Sequence, residues 1–153
     1  MLKSLRMIKC IFEDGGEGYL RHVCVDVLVL KDRKIMLVKR TGKLLEGGKW
    51  GLVGGFVGRG ETLIQAVERE IEEETGLKVK NITHLRVKDS PDRPKEDRQN
   101  IAFVYYCEAV EKVGQKDWES DEVKWFDLND LPPKEEIAFD HYDDVKLYLD
   151  SSV

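Results

Sequence analysis

The sequence predicts an α/β fold, a mixed β-sheet with helices on both faces. Three observations predict it. Strand-like segments surround one central helical stretch rather than alternating regularly with helices. The first long strand segment is nearly continuous in apolar residues, as suits a strand buried on both faces. A further helical segment lies near the C-terminus. The length of 153 residues suits one domain, 1–153, with a single sizeable core.

Each element has its own signal. The stretch YLRHVCVDVLVL is β-rich, and its latter half carries the apolar run. KDRK reads as a tight turn and KIMLVKR as the strand paired through it. TGKLLEGGKWGLVGGFVGRGE is a glycine-rich loop flanking a short strand. A helix follows from about Glu61 to Thr75, with Gly76 placed to cap its C-terminus. KVKNITHLRV and NIAFVYYCEAV read as two more strands, joined by the polar loop DSPDRPKEDRQ. EVKWFDLNDLPP is a short strand running into a turn, and HYDDVKLYLD is a roughly amphipathic C-terminal helix. No internal repeat, low-complexity tract or Pro/Gly/Ser linker interrupts the chain.

Composition narrows the partners. Charged residues make up 36% of the chain, and the formal net charge is −5. A mild acidic balance argues against nucleic acid or an anionic membrane as a partner. It leaves a phosphorylated small molecule open, because a bound cation inverts the local charge. The three cysteines, Cys10, Cys24 and Cys107, have no CxxC spacing and give neither a disulfide framework nor a zinc site. Reduced thiols are expected. The N-terminal stretch lacks a signal-peptide core and no run approaches a membrane span, so the expected location is cytoplasmic.

The segment EREIEEETGL concentrates carboxylates at helical spacing, where like charges repel. With Leu63 at zero, Val67 falls at about 40°, Ile71 at about 80°, Ile64 at about 100° and Ala66 at about 300°. That is a core-facing stripe. Glu61, Glu68 and Glu72 fall roughly opposite, towards solvent. Glu70 and Glu74 fall at about 340° and 20°, within the apolar edge, and Glu73 flanks them at about 280°. Three sheltered carboxylates need positive charge between them. Either a hard divalent cation supplies it, or Lys and Arg from elsewhere in the fold do. The preceding GLVGGFVGRGE favours the cation. Its glycines let backbone groups approach a ligand, and it feeds directly into the acidic helix. Glycine loop, acidic helix and metal together suggest a site for a phosphate chain.

Gly55, Glu61, Arg69, Glu70, Ile71, Glu73, Glu74, Gly76 and Leu77 match the Nudix signature, Gly-x5-Glu-x7-Arg-Glu-U-x-Glu-Glu-x-Gly-U with U aliphatic. The chain thus resembles the Nudix hydrolases from about Tyr19 to its C-terminus. The resemblance implies an α/β/α sandwich and hydrolysis of a nucleoside diphosphate linked to another moiety, with Mg²⁺ or Mn²⁺. It implies Glu70, Glu73 and Glu74 as metal ligands, with the Gly54 carbonyl as an extra one. Glu61 would act beside them, and Arg69 would orient a glutamate through a bidentate contact. A glutamate would accept the proton of the attacking water. In several relatives this base comes from a loop beyond the helix. Glu119 in QKDWESDE is the candidate here, or else a solvated loop acid. One departure stands out: many relatives carry Pro before the paired glycines, where this chain has Val53.

The signature fixes the reaction, not the leaving group. DSPDRPKEDRQN resembles a loop of ADP-ribose pyrophosphatase-like members, and IAFDHYDDV resembles their entry to the last helix. Arg93 and Arg98 either hold phosphate as bidentate donors or sit in a solvated loop. Phe139 and His141 either line a base pocket or staple the C-terminal helix. Trp50 and Tyr105 are expected in the core or at its rim rather than as ligand stackers. An ADP-ribose-type nucleotide sugar is the favoured substrate, bound near Gly55. The alternatives are an oxidised (d)NTP, a dinucleoside polyphosphate, or nucleotide sensing without cleavage. Family members often dimerise, but no stretch specifies an interface for a homodimer.

Overall fold

The structure, a computed structural model, describes residues 8–93, 99–112 and 120–152. In chain order the strands are β1 (Ile8–Ile11), β2 (Glu17–Leu20), β3 (Val23–Lys31), β4 (Lys34–Arg40), β5 (Trp50–Gly51) and β6 (Val53–Phe56). Helix α1 (Leu63–Thr75) follows, then β7 (Leu77–Lys88), β8 (Ile101–Lys112), β9 (Ser120–Asp127) and helix α2 (His141–Ser151).

The apolar run becomes β3, at the centre of a mixed seven-stranded sheet. One edge of β3 pairs parallel with β8 from Val23 to Leu30. Its other edge is shared: β6 takes Cys24 to Val27 and β4 takes Val29 to Lys31, both antiparallel. Asp32 and Arg33, with φ of 50° and 61°, make the tight hairpin turn read from KDRK. β9 pairs along the whole of β4 and β7 along β8, so the expected short strand at Glu122 starts at Ser120.

Alternation along β3 separates two cores. Val25, Val27 and Val29 pack against Ala66, Val67 and Ile71 of α1. Leu28 and Leu30 face the other way, with Val104 and Val145 of α2. Helices therefore cover both faces, which is the predicted α/β/α sandwich. Both faces of β3 are dry, so Cys24 to Leu30 are all buried.

Helix α1 starts two residues later than expected. Thr62 and Gln65 form a reciprocal capping box, which fixes the first turn at Leu63 and leaves Glu61 outside it. Gly76, at φ 72°, closes the helix as predicted, its N–H donating to the Glu72 carbonyl. Ile64 does not join the expected core stripe and is 41% exposed. By angle Ile64 lies within the buried arc, which runs from Ala66 round to Thr75, but it sits in the first turn, ahead of every buried residue of the helix. β1 and β2 form a separate hairpin, an addition to the elements expected from the sequence. Cys24 and Cys107 are buried free thiols, and burial pushes Cys107 up to about 12. Among the described residues, no helix is long and apolar enough to cross a membrane.

Candidate functional site

The signature residues gather where β6 meets α1. β6 pairs with β3 so that Val25 faces Gly55 and Asp26 faces Gly54. Successive residues of a strand point to opposite faces. A Cβ at Gly55 would run into the Glu70 carboxylate, and one at Gly54 would crowd the Val25 carbonyl and Asp26 Oδ1. At Gly54 the Val25 backbone carbonyl leaves no room for a side chain, and at Gly55 a side chain would displace the Glu70 carboxylate.

On the α1 face, Glu70 and Glu74 are 9% and 7% exposed, as the angular reading predicts. Glu74 Oε1 accepts the Gly54 N–H at 3.3 Å. Glu68, Glu72 and Glu73 are exposed, so only Glu73 stands at the edge of the cluster. Arg69 organises the rest. Its Nε and Nη2 donate to the two carboxylate oxygens of Glu61, both at 2.8 Å. Nη1 donates to Glu70 Oε1 at 2.7 Å and to Glu73 Oε2 at 3.2 Å, while Nη2 also reaches the Phe56 carbonyl. The fork shape of guanidinium makes this multiple contact attainable, and an ammonium could not reproduce it. The bond from Arg69, with the Gly58 N–H second, holds Glu61 at about 2. The same bond pushes Arg69 above its ordinary range.

Glu61 does not sit on the solvent side of a helix, as its angle implies. It lies before the helix instead, and the Arg69 fork draws it into the acidic cluster. Three carboxylates share one guanidinium, with Glu74 one turn beyond Glu70, so acid exceeds base. Among the described residues, no three acidic, His or Cys side chains converge as they stand on one metal position. The donor set nevertheless fits a hard cation: the ligands are carboxylate oxygens beside a backbone stripped of side chains.

The two loop arginines fare differently. Arg93 is 7% exposed at its side chain and forks onto Asp140, with Nε to Oδ2 and Nη2 to Oδ1 both at 2.9 Å. The expectation that it reaches for phosphate finds no support in this placement, because all three of its guanidinium nitrogens bond within the fold, Nη1 to the Asn100 carbonyl. Arg98 and Glu119 lie outside the described residues. Tyr105 is core, and Trp50 packs edge-on against Phe126 at 4.9 Å between centroids.

A charged group on the reverse face of β6 is absent from the sequence-based expectations. Lys88 Nζ donates to Asp140 Oδ1 at 2.8 Å and Asp144 Oδ2 at 2.6 Å, and lies 3.8 Å from Asp26. Arg86 pairs with Asp144. Three cations and three carboxylates thus balance where α2 begins. Burial opposes ionisation of Asp140, but the Arg93 bond and the Lys88 charge outweigh it and hold its carboxyl below the usual range. Burial raises Asp26 above that range, with Lys88 pulling the other way. His141 is 5% exposed and its Nδ1 accepts the Leu52 N–H at 3.1 Å. It is buried and ties α2 to the residue that precedes β6. The available signal is Asp26, the one acid in an otherwise apolar strand.

Comparison with known proteins agrees with this geometry. The NUDIX domain profile matches residues 20–146. The chain is 40% identical over 127 residues to an ADP-ribose pyrophosphatase of Methanocaldococcus jannaschii, covering 83% of this chain and 72% of that protein. It is 34% identical over 140 residues to the NAD-capped RNA hydrolase NudC of Actinobacillus succinogenes, covering 86% of this chain but only 52% of that longer protein. The NUDIX domain of Shewanella oneidensis NrtR, solved in complex with ADP ribose, superposes with a TM-score of 0.74 at 25% identity, covering 89% of this chain and 91% of that one. Signature, sandwich and similarity coincide over the same residues, and the chain belongs to the Nudix hydrolase family.

Proposed function

We propose that this Nudix pyrophosphohydrolase cleaves the pyrophosphate bond of a nucleoside diphosphate linked to a sugar, with ADP-ribose the favoured substrate. One observation carries the site. Glu70 and Glu74 are buried against a backbone bared by Gly54 and Gly55, with Arg69 tying Glu70 to Glu61 and Glu73. Glu70, Glu73, Glu74 and the Gly54 carbonyl would hold Mg²⁺ or Mn²⁺. Such an ion, when bound, neutralises phosphate charge and makes water a better nucleophile.

The chain's own groups do the rest. Arg69 keeps Glu61, Glu70 and Glu73 oriented through its fork. Gly55 lets the phosphate chain approach the strand. A glutamate accepts the proton of the water that attacks phosphorus, and Glu119 is the candidate for that base. The bond from phosphorus to the bridging oxygen breaks, and ADP-ribose leaves as AMP and ribose 5-phosphate. Arg98 remains the candidate in its loop for donating hydrogen bonds to phosphate, and Arg93 anchors the loop's first part to Asp140.

The substrate preference rests on likeness to the M. jannaschii ADP-ribose pyrophosphatase, supported by the ADP-ribose complex of the Shewanella domain. That complex equally suits binding without cleavage, which is the second reading. Purified protein with Mg²⁺ should be offered ADP-ribose, NADH, diadenosine polyphosphates, dNTPs and 8-oxo-dGTP, and the products quantified. Fastest turnover of ADP-ribose is expected. Preferential turnover of a dNTP would replace the substrate, and tight binding with no turnover would sink the enzyme reading.

A further inference from the structure

The paired glycines raise a mechanical problem. Glycine backbone is the most conformationally free in the chain, and the residue before the pair is Val53, which does not fix φ as a proline would. Yet a site that uses the Gly54 carbonyl needs the strand held to within roughly 0.5 Å. The α1 face supplies one bond, from the Gly54 N–H to Glu74.

Antiparallel pairing with β3 holds one edge of the strand, and the segment from Ala138 to His141 adds two more bonds to the residues leading into it. The Ala138 N–H donates to the Trp50 carbonyl at 2.7 Å, where Trp50 and Ile137 form a parallel bridge. The Leu52 N–H donates to His141 Nδ1 at 3.1 Å. A backbone N–H can only donate, so Nδ1 carries the lone pair and the imidazole proton sits on Nε2. Nε2 lies 3.6 Å from Asp26 Oδ1, and Asp26 lies opposite Gly54 in the β3–β6 register. Lys88 stands behind Asp26 at 3.8 Å. A line of contacts therefore runs from Lys88 through Asp26 and His141 to Leu52, two residues before Gly54. Burial and the Lys88 charge keep the imidazole neutral, which preserves the acceptor.

We propose that His141 is a positioning residue that clamps the Leu52–Gly54 backbone from the face opposite the acidic helix. It thereby sets where the Gly54 carbonyl and Glu74 meet a divalent cation. His141 touches neither substrate nor metal. The inference rests on the proposed metal site, but its first effect is on the metal-free backbone, so the two can fail separately.

The test compares wild type with His141→Phe, which removes the acceptor, and His141→Asn, whose Oδ1 can stand in for Nδ1. Amide hydrogen exchange at Leu52 and Gly54 is followed in metal-free protein, with the β8 amides as a control for global stability. Mn²⁺ affinity is measured on the same samples by electron paramagnetic resonance. His141→Phe should speed exchange at Leu52 and Gly54 relative to β8, and weaken Mn²⁺ by roughly 10–100-fold. His141→Asn should restore most of both. Unchanged relative exchange in His141→Phe overturns the inference, whatever Mn²⁺ does. So does faster exchange with wild-type Mn²⁺ affinity. Wild type that fails to bind Mn²⁺ overturns both the metal site and the clamp's purpose, but faster exchange would still show the clamp itself. If His141→Phe does not fold, His141→Gln, with its acceptor one bond further out, takes its place under the same criteria.

Discussion

Glu74 combines an observed structural contact with a proposed role as a metal ligand. Its carboxylate is buried and accepts the Gly54 N–H. A carboxamide keeps the acceptor but loses the charge. Glu74→Gln should therefore remain folded, with a thermal midpoint close to wild type. Its loss of turnover should exceed the roughly 10–100-fold typical of residues behind the ligands. Full activity in this variant would remove Glu74 from the metal site. Arg69 predicts differently, because its value lies in shape. Arg69→Lys keeps the charge but cannot fork onto Glu61 while holding Glu70 and Glu73, so Mn²⁺ affinity measured by calorimetry should fall roughly 10–100-fold. His141 makes a prediction in pH. Its folded pKa is pushed down to about 3 by burial, from an ordinary 6.5. Between these values the unfolded chain binds the proton and the native state does not, so this contribution is fully present above pH 6.5 and fades as pH falls towards 3. Urea midpoints measured across that window should rise with pH, and the slope should flatten in His141→Asn. An unaltered slope would show that His141 is not the group responsible.

Helix α1 and the start of α2 clamp the same strand from opposite faces, and they differ in how they do it. α1 contributes apolar packing with two buried acids at its edge. α2 contributes a balanced ion cluster centred on Lys88. Removing one member of a buried charge set leaves its partners uncompensated, at a cost of about 3–5 kcal/mol. Lys88→Met should lose stability on that scale in chemical denaturation, while a surface change such as Lys80→Met should be close to neutral. Equal effects would mean that the Lys88 cluster contributes no more than exposed pairs. The same contrast explains what is legible in the sequence. Helix α1 is legible because burial there follows a regular angle, and spacing alone separates Glu70 and Glu74 from Glu68 and Glu72. β3 is legible because its apolar run has no solvent face. The Lys88 cluster is not, since Asp26, Lys88 and Asp140 come from three distant segments and only the fold brings them together. Arg93 misleads for a related reason: a loop arginine next to prolines looks solvated until its partner Asp140 is known.

At the scale of the whole molecule, the sandwich places a strand with two central glycines between two helices. The acidic helix carries the proposed metal ligands, and the C-terminal helix packs on the opposite face. The register of β6 on β3 links the two, because it sets Gly55 under Glu70 and Gly54 over Asp26. The central claim is that these acids gather a cation that makes the pyrophosphate bond cleavable. It is tested most directly by the initial rate of AMP formation from ADP-ribose as Mg²⁺ is titrated into chelator-treated protein, for wild type and Glu74→Gln side by side. The account predicts no AMP without the metal, a saturable rise with it in wild type, and little or none in the variant. Full AMP formation in the presence of chelator, or the same titration curve for both proteins, would contradict it.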